Sequence, residues 1–429
     1  MVVRKKIKIK KVSRKKGKTP VSKRTYQNKK IVSKKKIIKT KTTKRIIRKK
    51  RTIKKKTIRK TKTTKRRLVK RKLIRSKHGK IDLRRAQSNP IIGPTPNSFW
   101  ESEAVFNPAA VVHGDRIHVF YRALGVDGVS RIGYASSKDG INFDRRFPYP
   151  VYMPETLSEM VAHYPYTSPA RLVYDQGLYA SGGGWGGCED PRAVKIGDRI
   201  YLTFNMFNGW NSIQVGLTSI AEKDLEGGRF RWSPFVNLSP TNERHKNWTL
   251  FPEKIEGKYA LFHNLSHPDL DRVRVEYLEH IDRPPVPFES PDPHLLPDRD
   301  VVWHNRTRSI GPPPVKTRYG WLVLYHAMDK NDPGRYKLGA MLLDSKDPTK
   351  VLYRSRYPLL APDEWYENDW KPGIIYASGA VVKGGTLFIY YGGGDKYVGV
   401  AHISIQEFMD KLMRDEHIVL SVKSTKVVK

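Results

Sequence analysis

Two adjacent acidic residues, Glu189 and Asp190, follow a glycine-rich run and precede a proline. Glycine has no side chain, so residues 182–187 let the backbone turn sharply or approach a ligand closely. The residues after Pro191 predict a short strand. A carboxylate at such a junction can be aimed into a cleft, where it could transfer a proton. The alternative is an aspartate that only caps its own turn.

The two carboxylates are not expected to work as an acid and base pair. Neighbouring residues of a regular strand point to opposite faces of the sheet, so Glu189 and Asp190 would face different surroundings. We therefore expect a single acid at Asp190, and we expect Glu189 to support it or to order a substrate.

The acids belong to a pattern that recurs along the chain. Residues 190–205 align without a gap with residues 107–122, and both read as a strand, a tight Gly-Asp turn and a second strand. Variants of the pattern begin near residues 251, 313 and 378, which makes five units. Short, turn-punctuated strands in five repeats predict an all-β fold, a five-bladed β-propeller.

A propeller would bring equivalent residues of the repeat together around its central channel. Asn107 is the equivalent of Asp190, and polar residues follow the second strands of four units. These residues are Arg122, Asn205, Asn264 and His326. With nearby aromatic residues they form an inventory that suits hydrogen bonding and stacking on a carbohydrate. The aromatic candidates are Trp100, Tyr121, Trp185, Trp210 and Tyr391.

Charge divides the chain into two regions. The net charge is +41 over 429 residues, yet residues 1–80 hold 40 Lys and Arg and no acid, which leaves 42 basic and 41 acidic residues in 81–429. We predict a basic tail, 1–80, that is disordered when free, and a catalytic domain, 81–429. The tail could bind nucleic acid or another polyanion through phosphate contacts, or anionic lipid headgroups, or be a solvated extension without a role in catalysis.

Cysteine usage favours a cytoplasmic location. The lone Cys188 leaves no partner for a disulfide within the chain or for a cysteine-based zinc site, and it is expected to be a buried thiol. No apolar run approaches the roughly 18 residues that span a bilayer, so we expect no transmembrane segment. The basic N-terminus lacks an apolar core after it, which argues against a secretory signal. The oligomeric state is left open.

Motifs from about residue 89 to about residue 410 resemble glycoside hydrolase family 130, and they follow the family's order. This is the β-mannoside phosphorylase and mannosidase family, whose fold is a five-bladed propeller. The matching segments are residues 106–109, 121–122, 137–140, 189–192, 246–247, 250–252, 311–314, 320–321, 325–326 and 391–395. The resemblance does not cover the tail.

The resemblance implies inverting phosphorolysis of β-mannosides to α-mannose 1-phosphate, with Asp190 as the general acid. Asn107, Arg122 and Asp395 match positions that hold the non-reducing mannosyl unit, and to this substrate-binding set we add Glu189 and Asn205. In part of the family a mannose hydroxyl is proposed to relay the proton. No metal or organic cofactor is implied.

Inorganic phosphate is the implied co-substrate, and the family holds it with cationic side chains. The matching positions here are Lys246, Asn247, Arg308 and His326. An anion of this kind needs several converging donors, which agrees with the implied set.

Two alternatives remain open. Lys246 stands where several phosphorylases of the family carry arginine, and Asn264 supplies no second cation, so hydrolysis by a β-mannosidase of the same fold is the first. The second is a non-catalytic glycan-binding propeller anchored by its tail to a polyanion.

Overall fold

The structure is a computed structural model that describes residues 81–414 apart from 156–183, 185, 209–212, 241–242, 265–272, 282–302, 304–305 and 330. The predicted tail, Trp185 and Trp210 therefore lie outside the described residues. Among the described residues, no helix combines the length and the apolar character needed to cross a membrane.

Strands dominate the described residues, as the all-β prediction required. In chain order they are β1 (Arg84–Arg85), β2 (Ala104–His113), β3 (Arg116–Leu124), β4 (Val129–Ser137), β5 (Arg145–Arg146), β6 (Gly186–Ile196), β7 (Arg199–Asn208), β8 (Ile213–Ala221), β9 (Val236–Asn237), β10 (Thr249–Ile255), β11 (Lys258–Asn264), β12 (Arg274–Leu278), β13 (Arg306–Ile310), β14 (Val315–Thr317), β15 (Gly320–Asp329), β16 (Asp332–Leu343), β17 (Val351–Arg354), β18 (Ile375–Lys383), β19 (Thr386–Gly393) and β20 (Tyr397–Ser404). The helices are α1 (Glu222–Glu226) and α2 (Ile405–Arg414), with a 3-10 turn at Trp365–Glu367.

The strands form five antiparallel groups that follow one another along the chain. The groups are β2–β5, β6–β9, β10–β12, β13–β17, and β18–β20 together with β1. A short parallel pairing of Val129 with Gly186 and of Ser130 with Gly187 joins the first two groups into one eight-stranded sheet. Strand β1 completes the last group by pairing Arg84 with His402.

The hydrophobic core lies between successive groups. Each pair of neighbouring groups, from the first to the fifth, shares one cluster of buried apolar side chains. In the cluster between the first and second groups, for example, Phe120 lies with Leu202. A further cluster packs the fifth group against the first, with Phe388 among the residues around Val119. Burial of these faces is the main stabilising contribution to the arrangement.

Each inner strand is interrupted at an equivalent point. Register shifts occur in β2 between Phe106 and Ala109 and in β6 between Glu189 and Arg192, and similar shifts interrupt β10, β13 and β18. A bulge of this kind bends a strand and re-aims a side chain, and it tolerates proline. The expected alternation of Glu189 and Asp190 is therefore wrong, because Asp190 lies in the bulge with φ at 47°.

Four groups share an aromatic ring packed over a glycine. Tyr121 faces Gly133, Phe204 faces Gly216, Tyr325 faces Gly339 and Tyr391 faces Gly399, each directly across from strand to strand. A Cβ placed on any of these glycines would come within 2.3–2.7 Å of the ring. This contact explains why the third strands open on small residues.

Three aromatic residues that were predicted to line the pocket lie in the core instead. Tyr121, Tyr391 and Trp100 are buried in the core, and the hydroxyls of the two tyrosines donate to Glu101 and Glu367. They are therefore not available to stack on a sugar. Cys188 is buried, as predicted, and burial raises the pKa of its thiol.

Candidate functional site

The bulges of β2 and β6 bring Asn107 and Asp190 together. The amide nitrogen Nδ2 of Asn107 donates a 2.7 Å hydrogen bond to Oδ1 of Asp190, and both residues are buried with φ at 47°. The two repeat-equivalent residues therefore meet side chain to side chain. This contact identifies the site around which the other polar residues gather.

Left-handed backbone marks the site. Among the described residues, five non-glycine residues have positive φ, and four of them are Asn107, Asp190, Asn247 and Asp395. Asparagine and aspartate tolerate this conformation better than other side chains, and such conformations cluster at functional sites. The fifth, Glu256, lies in the turn between β10 and β11.

Arg122 and Lys246 place positive charge beside the two acids. The guanidinium of Arg122 is 3.0 Å from Glu189 and 3.5 Å from Asp190, and its Nε donates to Ser130 at 2.9 Å. Nζ of Lys246 lies 3.7 Å from the other oxygen of Glu189. Both carboxylates thus face one guanidinium, a geometry that regular strand alternation would forbid.

The charges determine the protonation of Asp190. Burial alone would raise the pKa of its carboxyl, but Arg122, Lys246 and Arg192, with the hydrogen bond from Asn107, hold that pKa below its usual range. Asp190 is therefore an anion at neutral pH. An added negative charge nearby would raise its pKa.

Asn205 and Asn247 extend the polar surface on the other side of Asp190. They exchange two hydrogen bonds, of 2.7 Å from the Asn247 backbone and 3.0 Å from the Asn205 side chain. The Asn205 amide also donates to Oδ2 of Asp190 at 3.5 Å. The pairing orients both amides, so that Asp190 lies between Asn107 and Asn205.

Asp395 approaches from the last group of strands. Its carboxylate accepts a 2.9 Å hydrogen bond from Lys371. The turn that carries it is tied to β2, because the Val105 amide donates to the Lys396 carbonyl, and Gly392 packs so closely on Asn107 that a Cβ there would lie 2.1 Å from its Oδ1. The turn that carries Asp395 is thus held against β2.

His326 lies near Asp190 and Arg192, and its neighbours engage both of its ring nitrogens. The amide of Ala377 donates to its Nε2 at 2.8 Å, Nδ1 is 3.2 Å from Ser309 Oγ, and the ring stacks on Tyr376 at 4.2 Å. Burial lowers the pKa of the ring to about 3. His326 is therefore neutral and engaged by the protein at both nitrogens, so it does not supply a cation for phosphate.

Sequence reasoning missed Arg192 and Tyr376. Arg192 is buried and donates to the carbonyls of Asp190 (2.6 Å), Gly311 (3.2 Å) and Ile310 (3.4 Å), and to the Tyr376 hydroxyl at 2.8 Å. It ties the Asp190 bulge to two other groups of strands. Its place directly after the bulge proline was the available signal, whereas nothing local marks Tyr376.

Two predicted positions are described only by their backbones. Arg308 occupies the bulge of β13, the equivalent of Asp190 in the fourth group, and Asn264 ends β11. Their side chains lie outside the described part of the structure. Within the described part, no three or more His, Cys, Asp and Glu side chains are grouped to hold a metal ion.

Comparison with known proteins gives strong matches. Residues 178–414 match the model of glycoside hydrolase family 130 described as beta-1,4-mannooligosaccharide phosphorylase. The chain is similar to a 1,2-beta-oligomannan phosphorylase of Thermoanaerobacter sp. (strain X514), with 32% identity over 336 residues, which is 76% of this chain and 99% of the relative. A Beta-1,2-mannobiose phosphorylase of the same organism is 33% identical over 75% of this chain and 97% of its own.

A solved structure shares the fold. The Beta-1,2-Mannobiose phosphorylase from Listeria innocua, in complex with beta-1,2-mannobiose, matches 77% of this chain and 99% of its own, with a TM-score of 0.56 and 22% identity. At 22% identity, this match shows that the two chains share a fold.

Proposed function

The chain belongs to glycoside hydrolase family 130, and from this premise we propose that it is an inverting phosphorylase of β-mannosides. A phosphate oxygen forms a bond to C1 of the mannosyl unit while the bond from C1 to the leaving oxygen breaks. The leaving oxygen takes a proton, and the product is α-mannose 1-phosphate. The observation that carries the proposal is one buried acid, Asp190, between amides and beside the cations Arg122 and Lys246.

Asp190 is the general acid of the proposed reaction. A general acid must be protonated before transfer, yet the neighbouring cations hold the pKa of Asp190 below its usual range. Phosphate bound next to Lys246 offsets that positive charge and raises the pKa of Asp190. Arrival of the nucleophile therefore prepares the acid, whether the proton passes directly or through a mannose hydroxyl.

The sugar is held by the polar residues around Asp190. Asn107, Arg122, Asn205 and Asp395 present amide, guanidinium and carboxylate groups, the mixture that hydroxyl groups require for hydrogen bonding. Glu189 anchors Arg122 and Lys246 from behind, since it is fully buried and contacts both cations.

Lys246, Asn247 and Arg308 form the proposed phosphate site. Lys246 is half-buried beside Glu189, and Asn247, whose backbone is left-handed, accepts a hydrogen bond from Asn205, the neighbour of Asp190. His326 contributes as a neutral support. The names of the two relatives favour β-1,2-linked mannosides as the substrate class.

The five groups of strands act as five propeller blades in one catalytic domain, 81–429. The equivalent bulges, the clusters between successive groups and the packing of the fifth group on the first support this architecture.

The proposal also covers the tail and the location of the enzyme. The tail, 1–80, binds a polyanion, which agrees with a basic segment that contains no acid. The enzyme works in the cytoplasm, which agrees with a lone buried thiol.

Product analysis with and without phosphate tests the function. The protein is incubated with β-1,2-mannobiose or β-1,4-mannobiose, and the products are separated. We expect α-mannose 1-phosphate and mannose in equal amounts when phosphate is present, and no turnover when it is absent. Equal release of mannose without phosphate would instead identify a hydrolase.

A further inference from the structure

Tyr376 lies at the inner end of β18, in the ring of residues around Asp190. It pairs with Gly392, the glycine that contacts Asn107, and its hydroxyl accepts a 2.8 Å hydrogen bond from Arg192. The other amino group of that guanidinium donates to the Asp190 carbonyl at 2.6 Å. One rigid planar group therefore links the phenol to the backbone of the proposed acid.

The direction of the hydrogen bonds around Tyr376 follows from His326. The Ala377 amide can only donate, so Nε2 of His326 accepts and carries no proton. A neutral imidazole then has its proton on Nδ1, and this proton is directed at Ser309 Oγ, 3.2 Å away. The low pKa of the buried ring agrees with the neutral form.

The hydrogen bond from His326 to Ser309 determines the direction of the hydrogen bond between Ser309 and Tyr376. Because the Ser309 oxygen accepts from His326, its own hydroxyl proton is free to point at the Tyr376 oxygen, 3.1 Å away. The Tyr376 oxygen then accepts two hydrogen bonds, from Ser309 and Arg192, which use both of its lone pairs. Its own proton is left to donate, and no acceptor for it is recorded among the described residues.

Arg192 indicates what kind of group should accept that proton. The guanidinium is buried, and its recorded acceptors are three carbonyls and one hydroxyl, all of them neutral. Its positive charge also acts on Asp190, whose pKa it helps to lower. The cations Arg122, Lys246 and Arg192 exceed the carboxylates Glu189 and Asp190 by one charge, which favours one further anion in the site. Donors that point at the phenol oxygen also strengthen the bond that the phenol donates.

We infer that the Tyr376 hydroxyl is a direct hydrogen-bond donor to an oxygen of the bound phosphate, an inference that rests on the proposed function. Tyr376 thereby joins Lys246, Asn247 and Arg308 in the phosphate site. The chain His326–Ser309–Tyr376 keeps the phenol aligned, which gives His326 a positioning role instead of direct contact.

The variant Tyr376→Phe tests the inference because it keeps the ring that stacks on His326 and removes only the hydroxyl. We expect the KM for phosphate to rise roughly tenfold to a hundredfold, the loss of one hydrogen bond to a charged group. The KM for the mannoside should change little, while the melting temperature should fall by a few degrees, because the buried Arg192 guanidinium and Ser309 lose an acceptor. The matched control is Tyr390→Phe, which removes a buried hydroxyl that donates to Gly140 at 2.8 Å, away from Asp190.

Three outcomes would overturn the inference: an unchanged KM for phosphate, a rise confined to the KM for the mannoside, or an equal rise in Tyr390→Phe. Calorimetric titration with inorganic phosphate separates the two levels of the proposal. If the wild type binds phosphate more tightly than Tyr376→Phe but forms no mannose 1-phosphate, the proposed function fails while the phosphate contact stands. If the wild type is a phosphorylase and both proteins bind phosphate equally, only the inference fails.

Discussion

Asp190 owes its properties to its immediate neighbours. The bulge of β6 turns its carboxylate toward Asn107, and three cationic side chains lower its pKa although burial alone would raise it. Each of these contacts is made by a different part of the chain, so the acid exists only in the folded protein. The same holds for His326, which burial keeps uncharged.

The buried His326 predicts a loss of stability in acid. Its folded pKa, about 3, lies below the value near 6.5 expected in the unfolded chain. Below about pH 6.5 only the unfolded chain takes up the proton, so the contribution of the neutral ring is complete above that pH and falls as the pH approaches 3. At pH 5 the loss should be about 2 kcal/mol.

Urea unfolding at pH 7 and pH 5 measures this loss. His326→Gln keeps an acceptor for the Ala377 amide but does not titrate, so its free energy of unfolding should fall about 2 kcal/mol less than that of the wild type between the two pH values. The prediction is wrong if both proteins lose the same amount.

At the scale of the strands, the repeat is held together by rings packed over glycines. Tyr121, Phe204, Tyr325 and Tyr391 occupy the same place in four groups, each directly across from a glycine on the next strand. The glycine leaves room for the ring, and the ring covers backbone that the glycine would expose. These pairs fix the second and third strands against each other and so hold the inner strand that carries the site.

Gly133→Ala should therefore destabilise the fold. The new methyl group would lie 2.3 Å from Cε2 of Tyr121, a buried ring whose hydroxyl is bound to Glu101. Overpacking of this kind costs about 1–3 kcal/mol in the free energy of unfolding. Gly334→Ala is the control, since it lies in β16 with no atom within 4 Å of the added methyl group.

Chemical denaturation of the two variants and the wild type provides the comparison. We expect a lower unfolding midpoint for Gly133→Ala and an unchanged or slightly higher one for Gly334→Ala. Equal midpoints for both variants would mean that the ring-on-glycine contact does not constrain the sheet.

At the scale of the whole molecule, charge and catalysis are separated along the chain. Residues 1–80 carry almost the entire positive excess, while the site residues all lie beyond residue 106 in a nearly neutral region. Binding through many phosphate contacts is independent of sequence and falls steeply with salt. In the proposed function, the tail binds a polyanion through such contacts and takes no part in the reaction.

Removing the tail should separate the two properties. We expect residues 81–429 to keep full phosphorylase activity and to lose salt-sensitive retention on a heparin column. Elution at the same salt concentration as the full-length protein would refute the role of the tail. A large loss of activity would show that the tail contributes to catalysis.

Sequence reasoning succeeded where the repeat carried the information. The alignment of Asn107 with Asp190 needed only the spacing of the strands, and the two side chains are hydrogen bonded in the structure. Reasoning failed where contacts depend on packing: Glu189 and Asp190 were expected to face opposite sides of the sheet, because strand periodicity does not reveal the bulge at Asp190. Tyr121 and Tyr391 were misassigned because an aromatic residue near a site looks the same in a core. The role of Tyr376 depends on Arg192 and Ser309, which lie 184 and 67 residues away.

The central claim is that Asp190 protonates the leaving group while phosphate attacks. The most direct test measures Asp190→Asn on β-mannobiose and on a β-mannoside whose leaving group is dinitrophenolate, each with and without phosphate. General acid catalysis contributes about 10²–10⁴-fold, so turnover of mannobiose should fall by that order. The activated substrate needs no proton and should still give mannose 1-phosphate in a phosphate-dependent reaction. Equal losses on both substrates, or turnover that ignores phosphate, would contradict the claim.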